Sequence, residues 1–119
     1  MKIRGAVLSG LGKGSYYVSL EPYRKFFEKL LGKSIFCGTL NVCLQDGTWS
    51  DLPLKLYNPP NNFSPVYYVR ARVFSEEVIL VRPVKSRHPQ NVIEIVASSN
   101  LRKKYRLKDG DVIEIEVNT

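Results

Sequence analysis

The alternation of apolar and polar positions divides the chain into short segments, most with the period of a strand. Lys2–Ser9 has this period and ends where Gly10, Gly12 and Gly14 crowd together. Tyr16–Leu20, aromatic and β-branched, predicts a second strand. Pro22 then stands where a first helical residue is expected. Tyr23, Phe26, Phe27, Leu30 and Leu31 follow at i, i+3, i+4, i+7 and i+8, the stripe of an amphipathic helix that Gly32 ends. From Gly38 the period returns to two, with Leu40, Val42 and Leu44 alternating with Thr39, Asn41 and Cys43. Asp46-Gly47 is a turn signal, and Leu52–Leu56 predicts a further short strand. Asn58–Ser64 carries two consecutive prolines and reads as a loop, since proline breaks a ladder.

The second half continues the pattern. Val66–Phe74 and Val78–Val84 predict a hairpin joined at Ser75-Glu76-Glu77. Ser86–Gln90 is a loop, Val92–Ala97 a strand and Asn100–Tyr105 a short helix. Lys108-Asp109-Gly110-Asp111 turns into a last strand, where Ile113, Ile115 and Val117 alternate with Glu114 and Glu116. No repeat, linker or low-complexity segment interrupts the chain, so residues 1–119 read as one domain. The expected fold is mainly β, a closed or nearly closed barrel of about six strands with one amphipathic helix and a short C-terminal helix. Closure removes the edges that so many strands create. A parallel nucleotide-binding sheet is not expected, because strands and helices do not alternate regularly.

Composition narrows the setting. No apolar run approaches membrane-spanning length, and Met1 leads straight into an alternating segment without a signal region, so a cytoplasmic protein is expected. Cys37 and Cys43 are expected to be reduced and half-buried; their spacing and a single histidine argue against zinc. Charge changes the picture most. Lys and Arg exceed Asp and Glu to give +7, and residues 82–108 hold eight basic side chains against Glu94 alone. An anionic partner is implied: nucleic acid, a phosphate-bearing small molecule or an acidic surface. A merely solvated face is the alternative.

Four places carry candidate chemistry. Gly10, Leu11, Gly12, Lys13, Gly14 and Ser15 form a glycine-rich stretch whose N–H groups can approach phosphate oxygens, with Lys13 adding charge. It is neither a Walker loop nor a dinucleotide fingerprint, and an ordinary connection between strands is the alternative. Thr39 and Asn41, two apart in a strand, project to the same side, where neutral oxygens suit a hard cation that arrives with phosphate ligands; a wet strand face would look the same. Ser99 or Asn100 caps the short helix, and with Leu101 and Arg102 forms a basic terminus suited to a phosphate or a base edge, or simply a solvated basic helix. Glu94 shares the parity of Val92 and Val96, so it enters a cavity if that strand face lines one and faces outward otherwise. No general base is assigned; Lys13 and Glu94 are the candidates for a catalytic side chain. His88 reads as a loop residue and Trp49 as locally packed.

Taken in order, Ser-Gly-Leu-Gly-x-Gly, the Phe/Leu-rich helix, Gly-Thr-Leu-Asn and the run Ile-Glu-Ile-Val-Ala…Leu-Arg…Leu-Lys-Asp-Gly-Asp-Val-Ile resemble the archaeal CTP-dependent riboflavin kinases, from about Gly5 to Val117. The resemblance implies a six-stranded cradle-loop barrel of the RIFT-related kind. It also implies transfer of the CTP γ-phosphoryl group to the riboflavin 5′-hydroxyl, giving FMN and CDP. Gly10–Ser15 would hold the phosphates, Thr39 and Asn41 Mg²⁺, and Ser99, Asn100, Leu101 and Arg102 the nucleotide around its cytidine. Ser86, where the family usually has threonine, and Glu94 would contact the flavin. The chain departs from the family across Gln45–Ser64 and at Ser98, where a proline is expected. Preference for CTP rests on the family alone.

Riboflavin, FMN, CTP and CDP are the implied partners, with neither nucleic acid nor membrane, and a monomer is favoured. Two other readings are a nucleic-acid-binding regulator built on a cradle-loop barrel and a flavin-binding barrel without catalysis. Against the first, basic and aromatic residues do not interleave and no helix-turn-helix is visible. The chain also begins with the barrel's first strand, so a preceding DNA-binding domain is not expected.

Overall fold

In a computed structural model, which describes residues 1–9 and 14–118, the chain forms an antiparallel barrel. Its strands are β1 (Lys2–Leu8), β2 (Leu40–Leu44), β3 (Lys55–Tyr57), β4 (Val66–Val73), β5 (Glu76–Pro83), β6 (Val92–Val96) and β7 (Val112–Val117). They are ordered β3-β4-β5-β6-β2-β1-β7, and β7 returns to β4 through Ala71↔Val117 and Arg72↔Glu116. Six strands thereby close a ring, with β3 paired onto β4 outside it. The expected barrel is the observed one.

Alternation decides what fills the ring. Leu40, Val42, Leu80, Ile93, Ile95, Ile113 and Ile115 point inward as one buried cluster. The outer faces of β5 and β6 are covered as well. There Ile79, Val81 and Val96 pack beneath α1 (Glu21–Leu31) through Tyr23, Phe27 and Leu31. This explains why Val78–Val81 reads as an unbroken apolar run: all four side chains are fully buried, on alternate faces. Gly32, at φ 71, ends α1 in the left-handed conformation that glycine adopts at least cost. Gly5 serves closeness instead: a Cβ there would stand 2.0 Å from Cγ1 of Val42.

Four local expectations are corrected. Tyr16–Leu20 is not a strand; Gly14–Ser19 is a 3₁₀ helix. Both edges of β1 are occupied, by β2 and β7, so closure leaves this segment no ladder to join, and Val18 is buried beneath α1 instead. The Leu52–Leu56 strand is delayed to Lys55–Tyr57, after a short 3₁₀ turn at Trp49–Asp51 that Thr48 and Asp51 cap reciprocally. The β4–β5 hairpin turns at Phe74-Ser75, both at positive φ, so β5 begins at Glu76, two residues earlier than expected. Cys37 is exposed, whereas Cys43 is partly buried as expected. Among the described residues no helix is long and apolar enough to cross a membrane.

Candidate functional site

Register brings the motifs together. Across four strands, Leu8 pairs with Asn41, Asn41 with Glu94, and Glu94 with Val81, so a single row runs over β1, β2, β6 and β5. At this end of the barrel β1 runs out towards the glycine-rich stretch, β2 begins and β6 passes into α2 (Leu101–Lys104). A cleft of about 290 Å³ opens between them, lined in part by Leu8, Thr39, Asn41, Ser99, Asn100 and Arg102. Two of the sequence motifs, separated by some sixty positions, thus form facing walls. Of the glycine-rich stretch, Gly10, Leu11, Gly12 and Lys13 lie outside the described residues, and Gly14 and Ser15 begin the 3₁₀ helix.

Because Leu40, Val42, Ile93 and Ile95 fill the interior, Asn41 and Glu94 turn to the outer face. That face is not wet: Glu94 is 4% exposed and Asn41 8%. The carboxylate accepts a hydrogen bond from the Thr39 hydroxyl at 2.8 Å. Burial pushes the Glu94 carboxyl up to about 7, while the Thr39 hydrogen bond and the Arg82 charge pull it down. Among the described residues, Oδ1 of Asn41 is buried without a hydrogen-bond partner. So is the Tyr17 hydroxyl, whose pKa is raised by burial and by the charge of Glu94.

Such orphaned acceptors are uncommon in an interior and call for a ligand. The donor set fits a hard cation. Thr39 donates its proton to Glu94 and so keeps its oxygen lone pairs free, beside the unpaired amide oxygen of Asn41. Among the described residues no group of three or more His, Cys, Asp or Glu side chains could hold a metal unaided. An ion here needs phosphate oxygens to complete its shell.

The α2 wall is built by short contacts. Asn100 is the N-cap, its side chain accepting from the Lys103 N–H at 3.1 Å, and Leu101 is buried in the core. Ser99 donates to Glu76 at 3.3 Å; Glu76 also accepts from the Tyr105 hydroxyl and pairs with Lys104 at 2.8 Å. The Lys104 and Tyr105 bonds hold the Glu76 carboxyl below its ordinary range. Arg102 lines the cleft, with Nη2 2.9 Å from the Leu8 carbonyl and 2.8 Å from Asp109.

Ser86 does not line that cleft. It stands in the 84–91 loop, its hydroxyl accepting from the His88 N–H at 3.2 Å. The loop is held by Arg82, a residue that strand patterning passes over. Its guanidinium is buried and donates to the carbonyls of His88 at 2.8 Å and of Pro89 and Val92 at 2.9 Å each. Trp49 seals this staple: its ring lies 5.7 Å from the guanidinium, stacks on Tyr67, and donates from Nε1 to Gln90 at 2.8 Å. Local packing of Trp49 is therefore corrected to a contact between three distant segments. The signal available in the sequence was one arginine inside an apolar run. Arg82→Met is expected to cost about 3 kcal/mol in urea unfolding, because three carbonyls lose their donor. A loss under about 1 kcal/mol would show that other contacts hold the loop.

The family model for CTP-dependent riboflavin kinases, described as domain of unknown function DUF120, matches residues 7–117. Curated relatives agree. A riboflavin kinase of Pyrobaculum arsenaticum is 39% identical over 127 residues, covering 98% of this chain and 60% of that protein. Those of Ignicoccus hospitalis and Saccharolobus solfataricus are 36% and 34% identical, again over 98% of this chain, and are covered over 71% and 74% of their length. The chain spans 60% of the length of the two Pyrobaculum relatives it matches at 39% and 36% identity. With the motifs, the barrel and the matched span in agreement, the chain belongs to the CTP-dependent riboflavin kinase family.

Proposed function

We propose that this domain transfers the γ-phosphoryl group of CTP to the riboflavin 5′-hydroxyl, giving FMN and CDP. The observation that carries the reading is the strand row Leu8–Asn41–Glu94, which sets the end of β1 and an unpaired amide oxygen at the cleft, with a buried carboxylate next to them behind Thr39. Phosphoryl transfer asks little covalent chemistry of a protein and depends on alignment and charge stabilisation. In this reading Gly10–Ser15 hold the phosphates, with Lys13 adding charge, and Ser99–Arg102 face the nucleoside. Thr39 and Asn41 hold Mg²⁺, which when bound neutralises charge on the phosphate oxygens. Glu94 and Ser86 receive the flavin, Glu94 from the outer face of β6 and Ser86 from the loop that Arg82 staples. Burial around Glu94 keeps water from competing for the transferred group.

The test is product analysis. The chain, riboflavin, Mg²⁺ and either CTP or ATP are incubated and the flavins separated. FMN is expected with CTP, at a rate at least about tenfold above that with ATP. Equal rates would remove the base preference. Absence of FMN with both nucleotides, while riboflavin fluorescence still titrates on binding, would assign the chain to flavin binding without catalysis.

A further inference from the structure

The turn Lys108-Asp109-Gly110-Asp111 takes no part in the proposed chemistry, yet it is fastened to the cleft. Its backbone is zipped to β1: Gly110 N–H donates to Val7 O at 2.7 Å, and Val7 N–H to Asp111 O at 2.8 Å. Asp111 closes the turn on itself by accepting from the Lys108 N–H at 2.7 Å. Gly110 permits it, at φ 90. This places the Asp109 side chain between the two walls. One carboxylate oxygen accepts from Arg102 Nη2 at 2.8 Å and the other from the Ser9 hydroxyl. Arg102 completes the tie by donating to the Leu8 carbonyl at 2.9 Å and, more weakly, to Leu107 O at 3.4 Å.

Two features argue that this tie is about geometry rather than charge. A carboxylate at the mouth of a polyanion site opposes binding unless it is neutralised, and here the guanidinium cancels it. Arg102, which the family resemblance aims at a nucleotide, has one nitrogen shared between the end of β1 and Asp109. Leu8 and Arg102 both line the cleft, one from each wall; Arg102 reaches across to the Leu8 carbonyl, and Asp109, held by Ser9, fixes that guanidinium in place.

We infer that Asp109 is a positioning residue for the nucleotide: through Ser9 and Arg102 it holds the β1 and α2 walls of the cleft at the spacing that receives a nucleoside triphosphate. The inference rests on the proposed CTP site. Asp109 is not among the residues that line the cleft, so it acts through the two residues it binds. The side chain is exposed, and its replacement is expected to leave the core intact.

Calorimetric titration of Mg–CTP into the wild-type chain and Asp109→Asn decides it, alongside riboflavin titration followed by flavin fluorescence. The expected result is CTP affinity weakened about tenfold in the variant, with riboflavin affinity and thermal midpoint unchanged. In turnover the KM for CTP rises while that for riboflavin does not. Unchanged or tighter CTP binding overturns the inference. So does equal weakening towards both substrates, which is the mark of a general loosening. Should the wild-type chain itself fail to bind CTP, the proposed function falls first and this inference with it.

Discussion

Asn41→Leu is expected to abolish FMN formation and to raise thermal stability together. The amide oxygen of Asn41 is buried with no hydrogen-bond partner among the described residues, a condition that costs about 1–3 kcal/mol. Leucine keeps the branch at Cγ, finds room for its larger methyl groups in the adjoining cleft and carries no polar atom into the site. Removing the orphan therefore stabilises the empty fold by about 1–2 kcal/mol, or several degrees in the thermal midpoint. The same substitution deletes a proposed ligand for the cation and its phosphates. The rate of FMN formation is expected to fall about 100-fold or more. Opposite signs make the result diagnostic, because an active-site device that is strained when empty shows this trade-off and a packing residue does not. Thermal melting in chelator and product analysis in Mg–CTP read the two effects. Retained turnover would remove Asn41 from the ligand set; loss of both properties would make it structural.

Glu94→Gln carries the second large effect, a change in how stability depends on pH. The folded-state pKa of Glu94 is about 7, above the ordinary value of 4.5, with burial as the leading cause. Between those values the folded chain holds a proton that the unfolded chain releases. Stability therefore falls as pH rises through that window and levels off above it. The shift corresponds to roughly 3 kcal/mol by linkage. Glutamine stays neutral throughout and can still accept from the Thr39 hydroxyl. In chelator, the variant is expected to melt roughly 10 °C higher than the parent at pH 8 and close to it at pH 4.5. Parallel melting curves across that range would contradict the assignment, and would mean that solvent or a rearranged partner reaches the carboxylate.

Glu94 also shows how far patterning carries and where it stops. Its parity with Val92 and Val96 is legible in the sequence, and so is the shared side of Thr39 and Asn41. Whether that side is wet or covered is not, because cover comes from other segments: Tyr17 interacts electrostatically with Glu94, and Val18 and α1 pack over the neighbouring Val81 and Val96. Tyr16–Leu20 is the counterpart. Aromatic and β-branched residues favour a strand, but composition holds no information on whether a free edge exists to accept one. The edges of β1 are already taken by β2 and β7. Arg82 is a third case: strand periodicity places it on β5, while its partners are carbonyls six to ten residues downstream.

By itself the sequence determined most of the strand segments, the amphipathic helix, the barrel class and the order of motifs that marks the family. These are local quantities: side-chain period, turn chemistry and residue type are set within a few positions of one another. Only the tertiary structure decided that the barrel closes through β4 and β7, that Asn41 and Glu94 are buried side by side, and that Asp109 ties Ser9 to Arg102. Each depends on register and on side chains meeting across forty to a hundred residues of chain. Such contacts are chosen by how faces pack and which polar groups find partners, not by neighbours in sequence.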